Sequence, residues 1–457
     1  MAQDSFDCIV IGSGPGGYVA AIRASQLGMK TAVIERTHVG GRCLNVACIP
    51  AKAVLRSADI LTEVRSAGDH GIVVGEPSVD FPAVAEHRAK VIETLTGGVE
   101  MLLKKNGIEL IEAPATLTGG MGVKAADREL EATKAIILAT GSVGRPIPGA
   151  QFGGRIIGTE EAWALNELPA SMAVGGAGAS GCEIASAYAR FGTAVTLYEV
   201  ADRVLPTEDP DVSRLVERAF KKQGIEVVVN ASLSGIEAGA DSVTWSAGDG
   251  QGKADWMVIS AGRGPDEEGL GLAAAGVELG EDGRVKVDGQ MRTTAPGIFA
   301  IGDIVPGPAL AHKASEEGII AAEAAAGQDP HPLDYLDIPR ATFCEPNVGS
   351  FGLTEAQAKE AGYDVTVGKV PFGAVGAGAI YNERSGMVKL VGDRRYGELL
   401  GASIVGYRAT DLIQELVNAK LLEGGYPEVA RMIHGHPTLS EAVMEAARAA
   451  DGWLVHG

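Results

Sequence analysis

The sequence predicts an α/β chain made of two Rossmann-like units followed by a carboxy-terminal α+β region. Three observations carry that expectation. A strand, a glycine turn, a helix and a second strand ending in an acid follow one another over residues 7–35, and the same series recurs over residues 172–199. At 457 residues the chain exceeds what one hydrophobic core supports, so about two to four domains are expected. From Pro339 onward the pattern changes: "PRATFCEPNVGSFGLTE" and "GMVKLVGDRRYGELLGASIVG" read as sheet strands, the latter by alternation and tight turns.

The first unit, "DCIVIGSGPGGYVAAIRASQLGMKTAVIE", places Gly12, Gly14 and Gly17 in the G-x-G-x-x-G spacing and ends on Glu35. Glycines at these positions let the backbone approach a pyrophosphate, whose charge the helix N-terminus stabilises, while the acid accepts from a ribose hydroxyl. A glycine-rich turn without a ligand shares the spacing, but not the full strand, helix, strand and acid context. The second unit, "MAVGGAGASGCEIASAYARFGTAVTLYE", repeats the pattern with Gly176, Gly178, Gly181 and Glu199. In both copies the acid lies 23 residues after the first glycine. Two cradles mean two cofactors or one idle copy, and the second copy keeps every required position, which favours two. Glu199 suits the free 2′-hydroxyl of NAD and repels the 2′-phosphate of NADP, with Arg203 the nearby cation that argues the other way.

Directly after the first unit comes "GGRCLNVACIP", with Cys43 and Cys48 five positions apart. In a regular α-helix their Cα atoms would be about 8.7 Å apart, and a disulfide needs them within roughly 7 Å. Either the thiols are unpaired or the backbone bends. Five scattered cysteines are no secreted disulfide framework, so a close pair points to redox chemistry or metal. Metal is the weaker reading, because no second Cys or His pair at ligand spacing follows. The cradle beside the pair should hold the dinucleotide that trades electrons with sulfur, which requires a flavin. Cys8, Cys182 and Cys344 read as small buried residues.

Composition narrows the function classes. The net charge of −20 supplies no phosphate-neutralising surface, which argues against nucleic acid. No apolar run reaches the roughly 18 residues of a membrane span, and the start, "MAQDSFDCIVIG", reads as a strand rather than a signal peptide. A cytoplasmic location without membrane insertion is the expectation.

With these residues in view the chain resembles the FAD-dependent flavin disulfide oxidoreductases, class I, and within them the dihydrolipoamide dehydrogenase family, essentially end to end. "GGRCLNVACIPAK" looks like the family's redox motif, usually G-G-T-C-L-N-x-G-C-I-P-S-K. "ILATGS" resembles the strand and turn closing the first cofactor domain, and "TTAPGIFAIGDI" the second flavin motif. "LAHKASEEG" resembles the segment under the flavin ring, and "HGHPTLSEAV" the dimer-interface signature.

The resemblance implies two Rossmann-like dinucleotide-binding domains, for FAD and NAD, plus a C-terminal α+β dimerisation domain. The expected boundaries are 1–148 (FAD), 149–268 (NAD), 269–338 (a central segment completing the FAD site) and 339–457 (interface). It implies that Cys43 and Cys48 pair in a distorted turn, with Pro50 disfavouring αR at Ile49. By family role Cys43 is the interchange thiol, Cys48 the charge-transfer thiolate, and Lys52 sits near the flavin paired with Glu183. The implied FAD residues are Gly12, Gly14, Gly17, Glu35, Arg36, Gly41, Arg42, Lys52, Thr140, Gly141, Ser142, Asp303, Leu310, Ala311 and His312. The implied NAD residues are Gly176, Gly178, Gly181, Glu199 and Gly262. His436 is the general base and Glu441 its orienting acid. His434 as the base and both histidines as ordinary loop residues near Pro437 are the competing readings; His436 is preferred because it holds the position before Pro in the family's H-P-T-x-S-E. In the family the base reaches the disulfide of the other subunit, which implies a homodimer.

The implied reaction is oxidation of dihydrolipoamide on a carrier protein, whether a 2-oxoacid dehydrogenase E2, a glycine cleavage H protein or another lipoyl carrier. A related NAD(P)H-dependent reductase of a low-molecular-weight disulfide is the alternative, and an inactive flavoprotein serving as a binding subunit is a rival from another class. Arg42, Ala47 and Ala51 depart from the family's Thr, Gly and Ser, and "SAGRGPDEEGL" alters its I-G-R-x-P-N. These departures remove no catalytic group; they bear on the partner served and the redox poise.

Overall fold

A computed structural model describes residues 4–248 and 250–457. The first three residues of the expected opening strand lie outside them, and the strand is described as Asp4–Ile11. The chain forms two units. One comprises Met1–Ala53, Pro82–Arg145 and Gly262–Tyr335, the other Val54–Phe81, Pro146–Ala261 and Leu336–Gly457.

The first unit is built on a seven-stranded sheet. Its strand order is Glu109–Glu112, Thr31–Glu35, Asp4–Ile11, Arg128–Leu138, Gly122–Ala125 and Ala115–Gly119. Ile298–Ala300 adds to the end of Arg128–Leu138. The inner strands run parallel, with Val10 facing Val33 on one side and Ile137 on the other. Thr31–Glu35 is buried throughout, as a parallel strand covered on both faces should be. Ile9, Ile34, Ile136 and Leu138 fill the core on one face of the sheet. Val10, Val33 and Ile137 pack on the other, against Ala20, Ala21 and Ala24 of the helix Pro15–Gln26. That helix shows its small residues to a second helix, Ala311–Ala325. A Cβ on Gly318 would sit 2.6 Å from the Gly16 carbonyl oxygen, so glycine sets their spacing.

The second unit holds three sheets. A five-stranded parallel sheet runs Glu226–Val228, Ala194–Tyr198, Ser171–Gly175, Trp256–Ile259 and Ile156–Gly158. An antiparallel sheet of three strands covers Leu233–Ala238, Val243–Ala247 and Gly250–Ala254. The third sheet is antiparallel, in the order Arg340–Thr342, Val348–Gly352, Glu398–Val405, Met387–Asp393 and Val365–Pro371. Phe351, Leu390 and Ile404 pack there against Ile413 and Val443 of two helices, giving the α+β region that the alternation after Pro339 predicts. No helix among the described residues is long and apolar enough to cross a membrane.

One buried cation holds much of this unit's charge in place. Lys389 Nζ, on a side chain 7% exposed, lies 2.9 Å from Asp209, 3.0 Å from Glu355 and 3.1 Å from Asp211. Asp209 also caps the helix Pro210–Lys222 by accepting the Asp211 N–H at 2.9 Å. Removing one partner of a buried ion pair strands the other without compensation. Lys389→Met should therefore destabilise the protein by about 3–5 kcal/mol. Denaturant unfolding reads this, and an unchanged midpoint would show that the network contributes nothing.

Candidate active site

The two glycine turns are built alike, atom for atom. A Cβ on Gly12 would lie 2.4 Å from the Ala139 carbonyl oxygen, and one on Gly176 would lie 2.5 Å from that of Ser260. A Cβ on Gly17 would fall 2.0 Å from the Gly12 oxygen, and one on Gly181 1.9 Å from the Gly176 oxygen. Only glycine permits these approaches. The middle glycines differ: a Cβ on Gly14 or Gly178 would meet nothing within 4 Å. The free space of each turn therefore lies over its middle glycine. The succeeding helices, Pro15–Gln26 and Ala179–Phe191, have no side-chain cap and no acid in the first turn. Open space before an uncapped helix N-terminus fits a pyrophosphate.

The acids repeat as faithfully. Glu35 accepts the Ser13 N–H and the Thr37 N–H, each at 2.9 Å. Glu199 accepts the Ala177 N–H at 2.7 Å and the Ala201 N–H at 2.9 Å. Each carboxylate thus braces its own glycine turn at the residue after the first glycine, and both are 7% exposed. Arg203 is committed within its own loop, to Asp202 at 2.9 Å and to the Pro206 carbonyl at 3.0 Å.

Around the first turn, Arg36 pairs with Asp266, whose carbonyl accepts from Thr140 Oγ1 at 2.6 Å and whose N–H donates to Gly141 at 3.0 Å. Gly141 has φ +81° and Gly262 φ +130°. The Gly262 carbonyl accepts from the Arg145 N–H at 3.2 Å, within the first unit. Ser142 Oγ donates to Asp303 and receives Arg263 Nε at 2.9 Å. Leu310 precedes the helix Ala311–Ala325, and His312 lies in its first turn. Sequence reasoning passed over Asp266 and noted Arg263 only as a surviving motif position, without a role. Their signal was position alone, inside "SAGRGPDEEGL".

Cys43 lies in the short helix Gly41–Asn45 and Cys48 opens the next, Cys48–Arg65. The break falls at Val46, with φ −135° and ψ −3°, so the backbone bends between the cysteines. The expectation that Pro50 would push Ile49 out of the helical region is corrected: both are helical. Proline in a first turn forfeits no internal hydrogen bond, so it is tolerated there. The two thiols stand in hydrogen-bond contact. A hydrogen bond with Cys48 pushes the Cys43 thiol up, burial adds to this, and the Lys52 and Arg42 charges act the other way. Gly41 (φ +59°) carries the pair to the first cradle, since a Cβ there would strike the Gly14 Cα at 2.7 Å.

The two histidines part company. His434 is tied on both ring nitrogens, to Glu415 at 2.5 Å and to the Met432 carbonyl at 3.1 Å, and the Glu415 bond holds it protonated above its usual range. His436 uses only Nδ1, 2.9 Å from Glu441, with its side chain 75% exposed. Burial works against the Glu441 carboxylate, but the Thr438 N–H and His436 hold it below its usual range. His436 is thus oriented at one nitrogen, with the exposed ring facing outward, which is the arrangement a proton acceptor needs. Glu183 is buried in the second unit, accepting the Phe343 N–H at 2.9 Å, while Lys52 lies one turn after Cys48.

Two dinucleotide cradles and a thiol pair set against one of them define an oxidoreductase that moves electrons between sulfur and nucleotide. The chain belongs to the pyridine nucleotide-disulphide oxidoreductase family, whose model matches residues 6–318 and whose dimerisation-domain model matches residues 338–447. It is an enzyme whose cofactors are FAD and NAD. It is 44% identical over 460 residues to a dihydrolipoyl dehydrogenase of Bacillus subtilis, covering 98% of this chain and 97% of that one. It is 42% identical over 459 residues to that of Geobacillus stearothermophilus, with the same coverage. Among solved structures it is similar to LpdA of Mycobacterium tuberculosis, with TM-score 0.90, 28% identity and 96% and 99% of the two chains covered. It is also similar to RclA, an HOCl-induced flavoprotein disulfide reductase of Escherichia coli, with TM-score 0.86, 25% identity and 98% and 99% covered.

A titrating cluster lies in the second unit that no motif announced. Burial pushes the Glu345 carboxyl up to about 7, Glu383 adds to this, and Arg190 opposes it. Arg190 is itself bound to Asp59 at 2.6 Å. Between the ordinary glutamate range and about 7, the folded chain keeps a proton that the unfolded chain has lost, so stability falls as pH rises through that window. Glu345→Gln removes the titration. Relative to the parent, its stability should rise by about 1–3 kcal/mol between pH 5 and pH 8. Unfolding at the two pH values checks this, and an equal difference at both would contradict it.

Proposed function

We propose that the chain oxidises protein-bound dihydrolipoamide with NAD⁺ through the Cys43–Cys48 pair. The observation that carries this is the bent thiol pair, fixed to the first cradle by the Gly41–Gly14 contact. The dihydrolipoyl dehydrogenases that cover nearly the whole chain support the choice of substrate. The FAD-binding domain (1–148) would be completed by residues 269–338. The NAD-binding domain (149–268) would hold its cofactor at Gly176, Gly178, Gly181 and Glu199, and the interface domain (339–457) would join two copies. The working form is a cytoplasmic homodimer serving a lipoyl-carrying protein.

His436 takes the proton of a substrate thiol, and Glu441 stabilises the resulting imidazolium. The substrate thiolate attacks the Cys43 sulfur of the oxidised pair, the Cys43–Cys48 bond breaks, and Cys48 leaves as thiolate. The second substrate sulfur then displaces Cys43 and closes the lipoyl disulfide, so two electrons now reside on the dithiol. The Lys52 charge favours thiolate at the pair. FAD held at the first cradle would supply the transfer of that electron pair to NAD⁺ as hydride, with one proton released to solvent.

Anaerobic reduction of NAD⁺ by dihydrolipoamide tests the reading. NAD⁺ should be reduced in preference to NADP⁺, and Cys43→Ser or Cys48→Ser should abolish turnover. His436→Gln should lower kcat by about 10²–10⁴-fold, whereas His434→Gln should not. Absence of turnover despite bound FAD would sink the substrate assignment and turn the search to low-molecular-weight disulfides.

A further inference from the structure

Gly302 lies near the end of the second flavin motif with φ +78°, and side chains of one helix take both its backbone polar groups. Its N–H donates to Glu317 Oε2 at 2.7 Å, and its carbonyl accepts from Lys313 Nζ at 2.8 Å. Lys313 and Glu317 lie one turn apart on Ala311–Ala325 and pair at 3.0 Å, both side chains with no exposure at all. Tyr335 Oη donates to the other Glu317 oxygen at 2.5 Å. The segment after Gly302 lies over the set: a Cβ on Gly307 would sit 2.8 Å from the Tyr335 ring and 3.2 Å from Lys313 Cε. A buried ion pair is a poor source of stability compared with apolar residues of the same volume. Besides the Tyr335 hydroxyl, this one bonds both backbone polar groups of one glycine, and the residue after that glycine is Asp303.

We propose that Lys313, Glu317 and Tyr335 form a positioning set that clamps the Gly302 peptide and thereby aims Asp303 at the FAD bound in the first cradle. The inference rests on the assignment of FAD to that cradle. Lys313 and Glu317 act through Asp303 and touch no reacting atom. Their signature is therefore loss of FAD affinity that depends on Asp303, a dependence that general stabilisation of the fold would not produce.

The test is a double-mutant cycle on the FAD dissociation constant of the full-length chain, measured by fluorescence when the stripped protein is reconstituted. Lys313→Met combined with Glu317→Leu removes both charges together, so no buried charge is left behind. The expected result is native circular dichroism, an FAD Kd raised about tenfold or more, and a comparable rise for Asp303→Ala. The triple variant should be no weaker than Asp303→Ala alone. If Asp303→Ala weakens FAD and the paired variant does not, the inference falls and the flavin assignment stands. Multiplying losses in the triple variant would make the pair merely structural and overturn the inference. No effect of Asp303→Ala would overturn the inference and the flavin assignment together. Should the paired variant not fold, Tyr335→Phe enters the same cycle, with a few-fold rise in Kd expected that vanishes in the Asp303→Ala background.

Discussion

A methyl group on Gly17 would have to lie 2.0 Å from the Gly12 oxygen, and one on Gly181 1.9 Å from the Gly176 oxygen. That contact between a strand's end and the adjoining helix is the constraint from which the rest of the molecule is built. It draws each helix so near its strand that the first N–H groups face the open space over Gly14 or Gly178. It also leaves the next acid, Glu35 or Glu199, within reach of the turn's own backbone N–H. An anion site and its rim therefore arise from one backbone geometry, twice in one chain, before any side chain contacts a ligand.

The same kind of contact spreads outward from the first turn. Gly41 rests on Gly14, which fixes the start of the cysteine segment, and Gly318 rests on Gly16, which fixes the helix Ala311–Ala325. The thiol pair and the helix Ala311–Ala325 are thus located by backbone touching backbone, with no flexible side chain between them and the cradle. Sulfur chemistry needs that precision at the bend. Two helices meeting at Val46 bring into hydrogen-bond contact two thiols that one regular helix would hold apart.

The elements with strong local signals were legible in the sequence. Glycine spacing followed by periodic apolar residues revealed both cradles, and alternation revealed the strands after Pro339. Distance alone left Cys43 and Cys48 open between unpaired thiols and a bent backbone; the resemblance implied the bend, and the backbone breaks at Val46. Pro50 misleads because the bias before proline is a statement about the average peptide, and a helix's first turn escapes it. Asp266, Tyr335 and Glu345 were invisible for another reason. Each acts across a long sequence separation, Asp266 on Arg36 and Tyr335 on Glu317. A lone acid or tyrosine carries no periodicity that marks such a partner. Glu415, a residue on the helix Ala409–Leu421, likewise gave no local signal, though its bond to His434 is what leaves His436 the favoured base.

Duplication also explains why cofactor choice rests on so few residues. Both turns offer the same backbone groups to a dinucleotide, so discrimination must come from the residues just past the acid. In the first copy the next residue is Arg36, and Asp266 neutralises it. In the second, Leu205 takes φ +46° and its N–H returns to the Ala177 carbonyl at 2.8 Å, folding the loop back onto the turn. This places Arg203 against Asp202 and the Pro206 carbonyl, inside its own loop. A 2′-phosphate at that ribose would face the Glu199 carboxylate with the nearest cation already engaged by its neighbours. A free 2′-hydroxyl asks only for an acceptor, and Glu199 is one.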